Sequence, residues 1–384
     1  MEPNLLLTPG PTIILDQARE ALGRPIIHHR TPQFQENIKE CIEGLKYVFQ
    51  TKNEIYLLTC SGTGAMEAAV CNLLSPGDKA ITVEAGKFGE RWTELCHAFK
   101  AKPSVIEVEW GKAVQPDQIQ KLLQANPDVK AVFVTLSETS TGVVTDIKVI
   151  GEIVKKTNAV LVVDAISGLG VIDCQTDNWN IDVLVSATHK GFMLPPGLAF
   201  VSVSDKAYKL VEASTNCRYY LDLRESKKAF AATDTPYTPA IGIVIGLVES
   251  LKWIRAKGIE NLFAHYSKLA EGTRAAAKAL GLKLLAKENC ISDVLTAIYL
   301  PESIDSTKLV KKMRDTYGVT CAAGQGKLNN RIIRIAHMGC VEEKHIIKGL
   351  EIFEKVLAEM GHTFKPNAGV NAAKEVFNYK EVDV

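Results

Sequence analysis

The sequence predicts an α/β protein, with a mostly parallel sheet sandwiched by helices and a smaller α+β region on its C-terminal side. Three observations predict it. Short apolar runs alternate with helical patterns over residues 54–204, the signature of strands joined by crossover helices. Several runs are apolar at successive positions, as strands covered on both faces must be. Near residue 238 the alternation gives way to two long helical stretches and then to a second, shorter strand and helix series.

Taken in order, EIYLLTC (54–60) reads as the first strand and GTGAMEAAVCNLL as the helix after it. KAITVEA (79–85), VKAVFVTLSE (129–138), AVLVVDAIS (159–167), VLVSATH (183–189) and LAFVSVS (198–204) read as further strands. FGERWTELCHAF, PDQIQKLLQA and IKVIGEIVKK carry apolar residues at helical spacing, and SPGDK and ANPD supply turn residues. The last two strands lie close together and read as an antiparallel edge. TPAIGIVIGLVESLKWIRAKG and IENLFAHYSKLAEGTRAAAKAL are long helices. DVLTAIYL and IIRIAHMG read as strands of the second region, with helices in STKLVKKMRDTYG and EEKHIIKGLEIFEKVLAEMG. The division expected is an N-terminal arm over 1–20, a large domain over 21–254, a small domain over 255–365 and a loosely attached polar tail over 366–384.

Bulk properties exclude several classes. At 384 residues the chain is long for one core. Its net charge of +1 gives no basic surplus for nucleic acid or a membrane surface. No apolar run approaches the ~20 residues a bilayer span needs, and MEPNLLLTPGP lacks the basic and apolar regions of a signal peptide. Nine scattered cysteines without a C-x-x-C pair or zinc spacing suggest reduced thiols in a cytoplasmic setting and no metal site.

In an open α/β sheet, ligands collect beyond the carboxyl ends of the strands. Ser61, Gly62 and Thr63 follow the first strand and open a helix, where free N–H groups face an anion or an ordinary cap forms. Phe88 sits in GKFGERW, available to a planar ligand or to the core. SETSTG (137–142) places hydroxyl side chains around Glu138, for capping or for ligand binding. Asp164 ends a wholly apolar strand and needs a partner, a cationic ligand nitrogen or a structural arginine. Lys190, 26 residues on in SATHKGFMLPPG, is held on a short turn where loss of solvent makes an amine nucleophilic. One ligand has use for all of these: an anion at a helix N-terminus, a flat ring against Phe88, a ring cation at Asp164 and an aldehyde at Lys190. Pyridoxal phosphate has these four features.

On LLLTPGPT, SGTGAMEAA, GKFGERW, SETSTG, VVDAISGLG, SATHKGFMLPPG and RIIRIAHMG, the chain resembles the class V, fold-type I pyridoxal phosphate enzymes. It looks most like the alanine–glyoxylate and serine–pyruvate aminotransferases. The resemblance implies a large domain with a seven-stranded sheet. It implies that Lys190 holds the cofactor covalently, that Asp164 pairs with the ring nitrogen, that Phe88 stacks on the ring and that Thr139 faces the ring hydroxyl. Ser61, Gly62 and Thr63 match the phosphate cradle, with His189 where some relatives use Gln. Thr235 and Thr238, beside Tyr237 in TDTPYTPA, resemble a segment that reaches the phosphate of a neighbouring subunit, which implies a homodimer with shared sites. Arg334 matches the arginine that grips the substrate α-carboxylate, a task suited to a guanidinium fork. Arg331 is expected on the opposite face of that strand. Gly10 and residues 28–30 (HHR) are expected at the substrate end.

The function implied is transfer of the amino group of alanine or serine to glyoxylate or pyruvate by a ping-pong mechanism through Lys190. A phosphorylated or ureido-bearing substrate is an alternative within the family. The residues leave two further alternatives. A cysteine desulfurase would use a nucleophilic thiol such as Cys321 in GVTCAAGQGKL, yet Phe88 stands where those enzymes have His, and a Ser/Gly-rich loop is lacking. A non-catalytic subunit of a larger complex would keep the fold and lose the chemistry.

Overall fold

The computed structural model describes residues 4–379. Seven strands form the large sheet, in spatial order Glu54–Leu58, Ala199–Val203, Val183–Ala187, Val160–Asp164, Ala131–Thr135, Lys79–Glu84 and Lys102–Glu107. Every pairing that involves Ala199–Val203 is antiparallel and the others are parallel. The antiparallel strand therefore lies inside the sheet, between Glu54–Leu58 and Val183–Ala187. The expected antiparallel edge is corrected accordingly: a short connection after residue 189 determines direction, but cannot tell which strand closes the sheet. Lys102–Glu107, with its exposed lysine and glutamate ends, is an edge strand that the apolar pattern does not reveal.

Strands 131–135, 160–164, 183–187 and 199–203 are buried at every position. Their side chains alternate between two cores. Val132, Val134, Leu161, Val163 and Leu184 face one, and Phe133, Val160, Val162, Val183 and Val185 face the other. The helix Gly62–Leu73 covers the second face with Ala65, Met66, Ala68 and Ala69, small side chains that let its N-terminus sit close to the strand ends. Pro32–Phe49 and Ile241–Lys257 contribute to the first core. The start of Pro32–Phe49 follows local chemistry: Thr31 accepts from Phe34 N–H ahead of Pro32.

A second, antiparallel sheet runs Lys283–Leu284, Leu295–Tyr299, Ile332–Ala336 and Ala322–Ala323. The N-terminal strand Leu5–Leu6 pairs in parallel with Val319–Thr320, and Leu7 C=O accepts from Ala336 N–H. Further along, Thr12 and Leu15 bond the carbonyls of Lys190 and Met193, so the arm bridges the small sheet and the turn after Val183–Ala187. The tail differs from expectation. Ala368–Phe377 is a helix that docks on Ile259–Ala279, with Val370, Ala373 and Phe377 buried and the Phe377 ring filling the space beside Gly272. Its apolar residues fall on one helical face, which its polar composition conceals. No described helix is long and apolar enough to cross a membrane.

Candidate active site

Lys190 follows the strand Val183–Ala187 on a turn pinned from several sides. The Thr188 hydroxyl donates to Pro195 C=O at 2.7 Å, the Thr12 hydroxyl donates to Lys190 C=O at 3.0 Å, and Met193 N–H bonds the same carbonyl. The side chain is only 9% exposed, and its ammonium donates to Pro9 C=O. Gly10 lies against it at φ +120°, where an added Cβ would stand 2.3 Å from Nζ. No side chain fits there without displacing the amine.

One open cleft brings together Ser61, Gly62, Thr63, Phe88, Thr139, Asp164, His189 and Lys190. Ser61 occupies the N-cap of the helix Gly62–Leu73, yet its hydroxyl makes no cap hydrogen bond. Phe88 belongs to none of the hydrophobic core clusters and lines the cleft instead. The cleft sits at the carboxyl ends of Val160–Asp164 and Val183–Ala187, where the fold leaves strand ends uncovered.

The charges in this cleft lack partners. Asp164 is 4% exposed, and its carboxylate accepts one hydrogen bond among the described residues, from Ile166 N–H at 2.8 Å. Burial pushes its pKa up to about 7, with the Glu138 charge adding to the rise. Burial lowers Lys190 to about 8, against the pull of Asp164 and with the help of Arg334 and Arg91. Burial and the neighbouring Lys190 bring His189 down to about 4, and its buried Nδ1 has no partner. A neutral-leaning amine, an unpaired carboxylate and an orphaned imidazole nitrogen fit a ligand that carries an aldehyde, a ring cation and an anion. Pyridoxal phosphate meets each requirement at the residue that presents it.

Arg334 lies beside this cleft on Ile332–Ala336 and is 4% exposed, while Arg331 is exposed just before the strand. Nη1 donates to Thr139 C=O at 2.7 Å, and Nε and Nη2 donate to Ala323 C=O at 3.0 and 2.7 Å. A guanidinium has five N–H groups. These bonds leave one on each terminal nitrogen, the pair a carboxylate needs for a two-pronged grip. Burial lowers Arg334 to about 10, with Glu138 opposing.

Glu138 organises the walls of the cleft, a role the motif alone does not reveal. Its carboxylate accepts from Phe88 N–H and Gly89 N–H, both at 3.0 Å, and from the Ser140 N–H and hydroxyl at 3.0 and 2.6 Å. It therefore fixes the first turn of the helix Lys87–Ala98, and with it Phe88. Arg91 was also missed. It lines the cleft, and its spacing of three from Phe88 on one helix was the available signal.

Three groups of singled-out residues lie outside this cleft, Thr235 and Thr238 as a contact to a neighbouring subunit's phosphate requires. Thr235 is buried with its hydroxyl donating to Tyr237 C=O, Thr238 is exposed, and neither lines this chain's own cleft. His28 and His29 stack on each other and Arg30 pairs with Asp234, and none of the three lines the cleft of its own chain. Cys321 is buried between two short strands, and burial pushes its thiol up to about 12. That is the opposite of the exposed thiolate a desulfurase needs. Among the described residues, no three His, Cys, Asp or Glu side chains are grouped to hold a metal ion.

The family model described as aminotransferase class-V matches residues 16–331. The chain is 40% identical to a soluble hydrogenase 42 kDa subunit from Anabaena cylindrica, over 97% of this chain and 98% of that one. It is 36% identical to an L-aspartate–glyoxylate aminotransferase from Paracoccus denitrificans, over 97% and 96%. Among solved structures it is similar to ureidoglycine–glyoxylate aminotransferase from Bacillus subtilis, with a TM-score of 0.95, 25% identity and 99% of each chain covered.

Proposed function

This chain belongs to the class-V aminotransferase family and is a pyridoxal phosphate-dependent aminotransferase; we propose that it moves the amino group of a small L-amino acid, alanine or serine, to a small 2-oxo acid. Glyoxylate is favoured over pyruvate as acceptor, because both aminotransferases compared above name glyoxylate while their donors differ. One observation carries the proposal: Lys190 and Asp164 face the same cleft, both buried, with Phe88 beside them.

When bound, the cofactor supplies an aldehyde and a ring that accepts electrons as the Cα–H bond of the amino acid breaks. The residues of the chain do the rest. Asp164 holds its charge against the ring nitrogen and keeps that nitrogen protonated. Lys190, lowered to about 8, has a deprotonated fraction near neutral pH that would hold the cofactor covalently, with loss of the aldehyde oxygen as water. Freed by the substrate amine, its Nζ would be the base that takes the Cα proton and passes it to the former aldehyde carbon. Phe88 fixes the ring plane, and Arg334 orients the substrate carboxylate through its two remaining N–H groups.

A homodimer with shared sites is part of this proposal. Thr235 and Thr238 sit on a surface segment where Tyr220 stacks on Tyr237 at 5.2 Å and Tyr219 is 78% exposed. A second copy covering these rings would place the two threonines against its own cofactor phosphate. A second reading keeps the enzyme and adds a partner. The hydrogenase-subunit name of one relative favours a chain that also serves in a larger assembly. All nine cysteines are free, which suits the reducing cytoplasmic location we propose.

The deciding experiment is a half-reaction panel. Cofactor-loaded protein is mixed with single amino acids, and conversion of the cofactor to its amino form is followed together with 2-oxo acid release. Alanine or serine should convert it, and glyoxylate should reverse the conversion. If no amino acid changes the cofactor spectrum, the proposal is wrong. Native mass from a source lysate against that of the purified dimer tests the larger assembly.

A further inference from the structure

We propose that Arg91 is the cation that pairs with the cofactor phosphate, gripping it jointly with Thr63. The proposal rests on pyridoxal phosphate occupying the cleft described above.

Arg91 lies on the helix Lys87–Ala98 and reaches across to the helix Gly62–Leu73, where its Nη1 donates to Thr63 Oγ1 at 3.2 Å. The hydroxyl of Thr63 accepts in that bond, so its own proton is left to donate to an anion. Ser61 next to it has a hydroxyl with no cap bond. An unpaired guanidinium and two small hydroxyls therefore gather at the helix end whose N–H groups already favour an anion.

The guanidinium is also uncompensated. No carboxylate lies within ion-pair distance of Arg91 among the described residues, although the neighbouring Lys87 is paired with Glu90. Arg91 is half-buried and lines the same cleft as Asp164 and Lys190, with its bond to Thr63 at the exposed mouth. A phosphate carries close to two negative charges near neutral pH, more than helix N–H groups alone balance. A guanidinium fork matches two phosphate oxygens. The competing use of Arg91 is as a clamp on the stacking ring, since its guanidinium carbon lies 5.0 Å from the Phe88 centroid. The two roles differ in one respect: a clamp acts on the ring, whereas a phosphate partner is indifferent to a ligand without phosphate.

The test is direct binding to the apoenzyme, compared for pyridoxal phosphate and for pyridoxal, which lacks the phosphate. The proteins are wild type, Arg91→Met and Arg91→Lys, with circular dichroism confirming each fold. Arg91→Met should weaken pyridoxal phosphate about 10- to 100-fold, as expected for a lost charge-assisted contact, and leave pyridoxal within about twofold. Arg91→Lys should fall between, because it keeps the charge and loses the fork. Inorganic phosphate should compete with the cofactor on wild type and lose most of that effect on Arg91→Met. Equal weakening of both ligands would overturn the proposal in favour of the ring clamp, and no change in either would overturn it outright. Failure of wild type to bind pyridoxal phosphate at all would instead remove the cofactor reading beneath it.

Discussion

Two buried carboxylates a short distance apart in this fold behave as opposites. Glu138 accepts four hydrogen bonds, from Phe88, Gly89 and Ser140. Asp164 accepts one among the described residues, from Ile166. Burial raises both, but at Glu138 four donors pull the carboxyl back toward its charged form and at Asp164 only one does. The difference separates architecture from chemistry. A satisfied buried charge fixes backbone, here the turn that aims Phe88 and the segment whose Thr139 carbonyl holds Arg334. An unsatisfied one is a vacancy in the hydrogen-bond pattern, waiting for a ligand of the right charge.

The contrast can be broken by mutation. The largest effect belongs to Lys190, which shares the cleft with Asp164. Lys190→Ala should lower transamination by at least ~10²–10⁴-fold, the worth of a positioned proton carrier, and should abolish covalent retention of the cofactor while circular dichroism stays native. Native-rate turnover by this variant would remove Lys190 from its role. Next comes Asp164→Asn, expected to cost ~10²–10³-fold in turnover, as for loss of a preorganised charge. Its apoprotein should be as stable as wild type or more so, because a buried charge with one donor is gone. A large drop in melting temperature would place Asp164 with the structural carboxylate instead.

Glu138→Gln should show the reverse pattern. An amide cannot accept at both ends, so at least one of the donors from Phe88, Gly89 and Ser140 loses its acceptor. Chemical denaturation should show a loss of ~1–3 kcal/mol, with a smaller effect on turnover than Asp164→Asn. Equal stability of variant and wild type would mean that the four bonds do not anchor the helix Lys87–Ala98.

The mildest probe is pH. Asp164 is raised from 3.8 to about 7 in the folded apoprotein, so the folded state holds its proton more tightly between those values. The contribution is present at low pH and lost as pH rises through about 7. Wild-type apoprotein should thus lose melting temperature relative to Asp164→Asn as pH is raised across that window, and cofactor binding should cancel the loss. A gap that is constant with pH would show that Asp164 does not titrate there.

Much of this site was legible before the fold was known, for a local reason. Ser61, Gly62, Thr63, Phe88, Thr139, Asp164, His189 and Lys190 each end or follow a strand, and parallel strands carry all such positions to one end of the sheet. Arg334 was legible from its resemblance to a carboxylate-binding motif. Arg91 was not, because nothing in GKFGERW tells whether that face of the helix meets solvent or the end of Gly62–Leu73. Thr235 and Thr238 are placed outside their own chain's cleft, a relation that one chain's sequence cannot express.

By itself the sequence determined the alternation of strands and helices, the apolar character of the central strands and the order of the residues that bear chemistry. Those follow from periodicity and composition within short windows. Tertiary structure alone decided that Ala199–Val203 lies inside the sheet, that the arm pairs with Val319–Thr320, that Ala368–Phe377 docks on a distant helix and that Glu138 is satisfied while Asp164 is not. Each of these depends on which distant surfaces meet, and burial, unlike periodicity, is a property of the assembled chain.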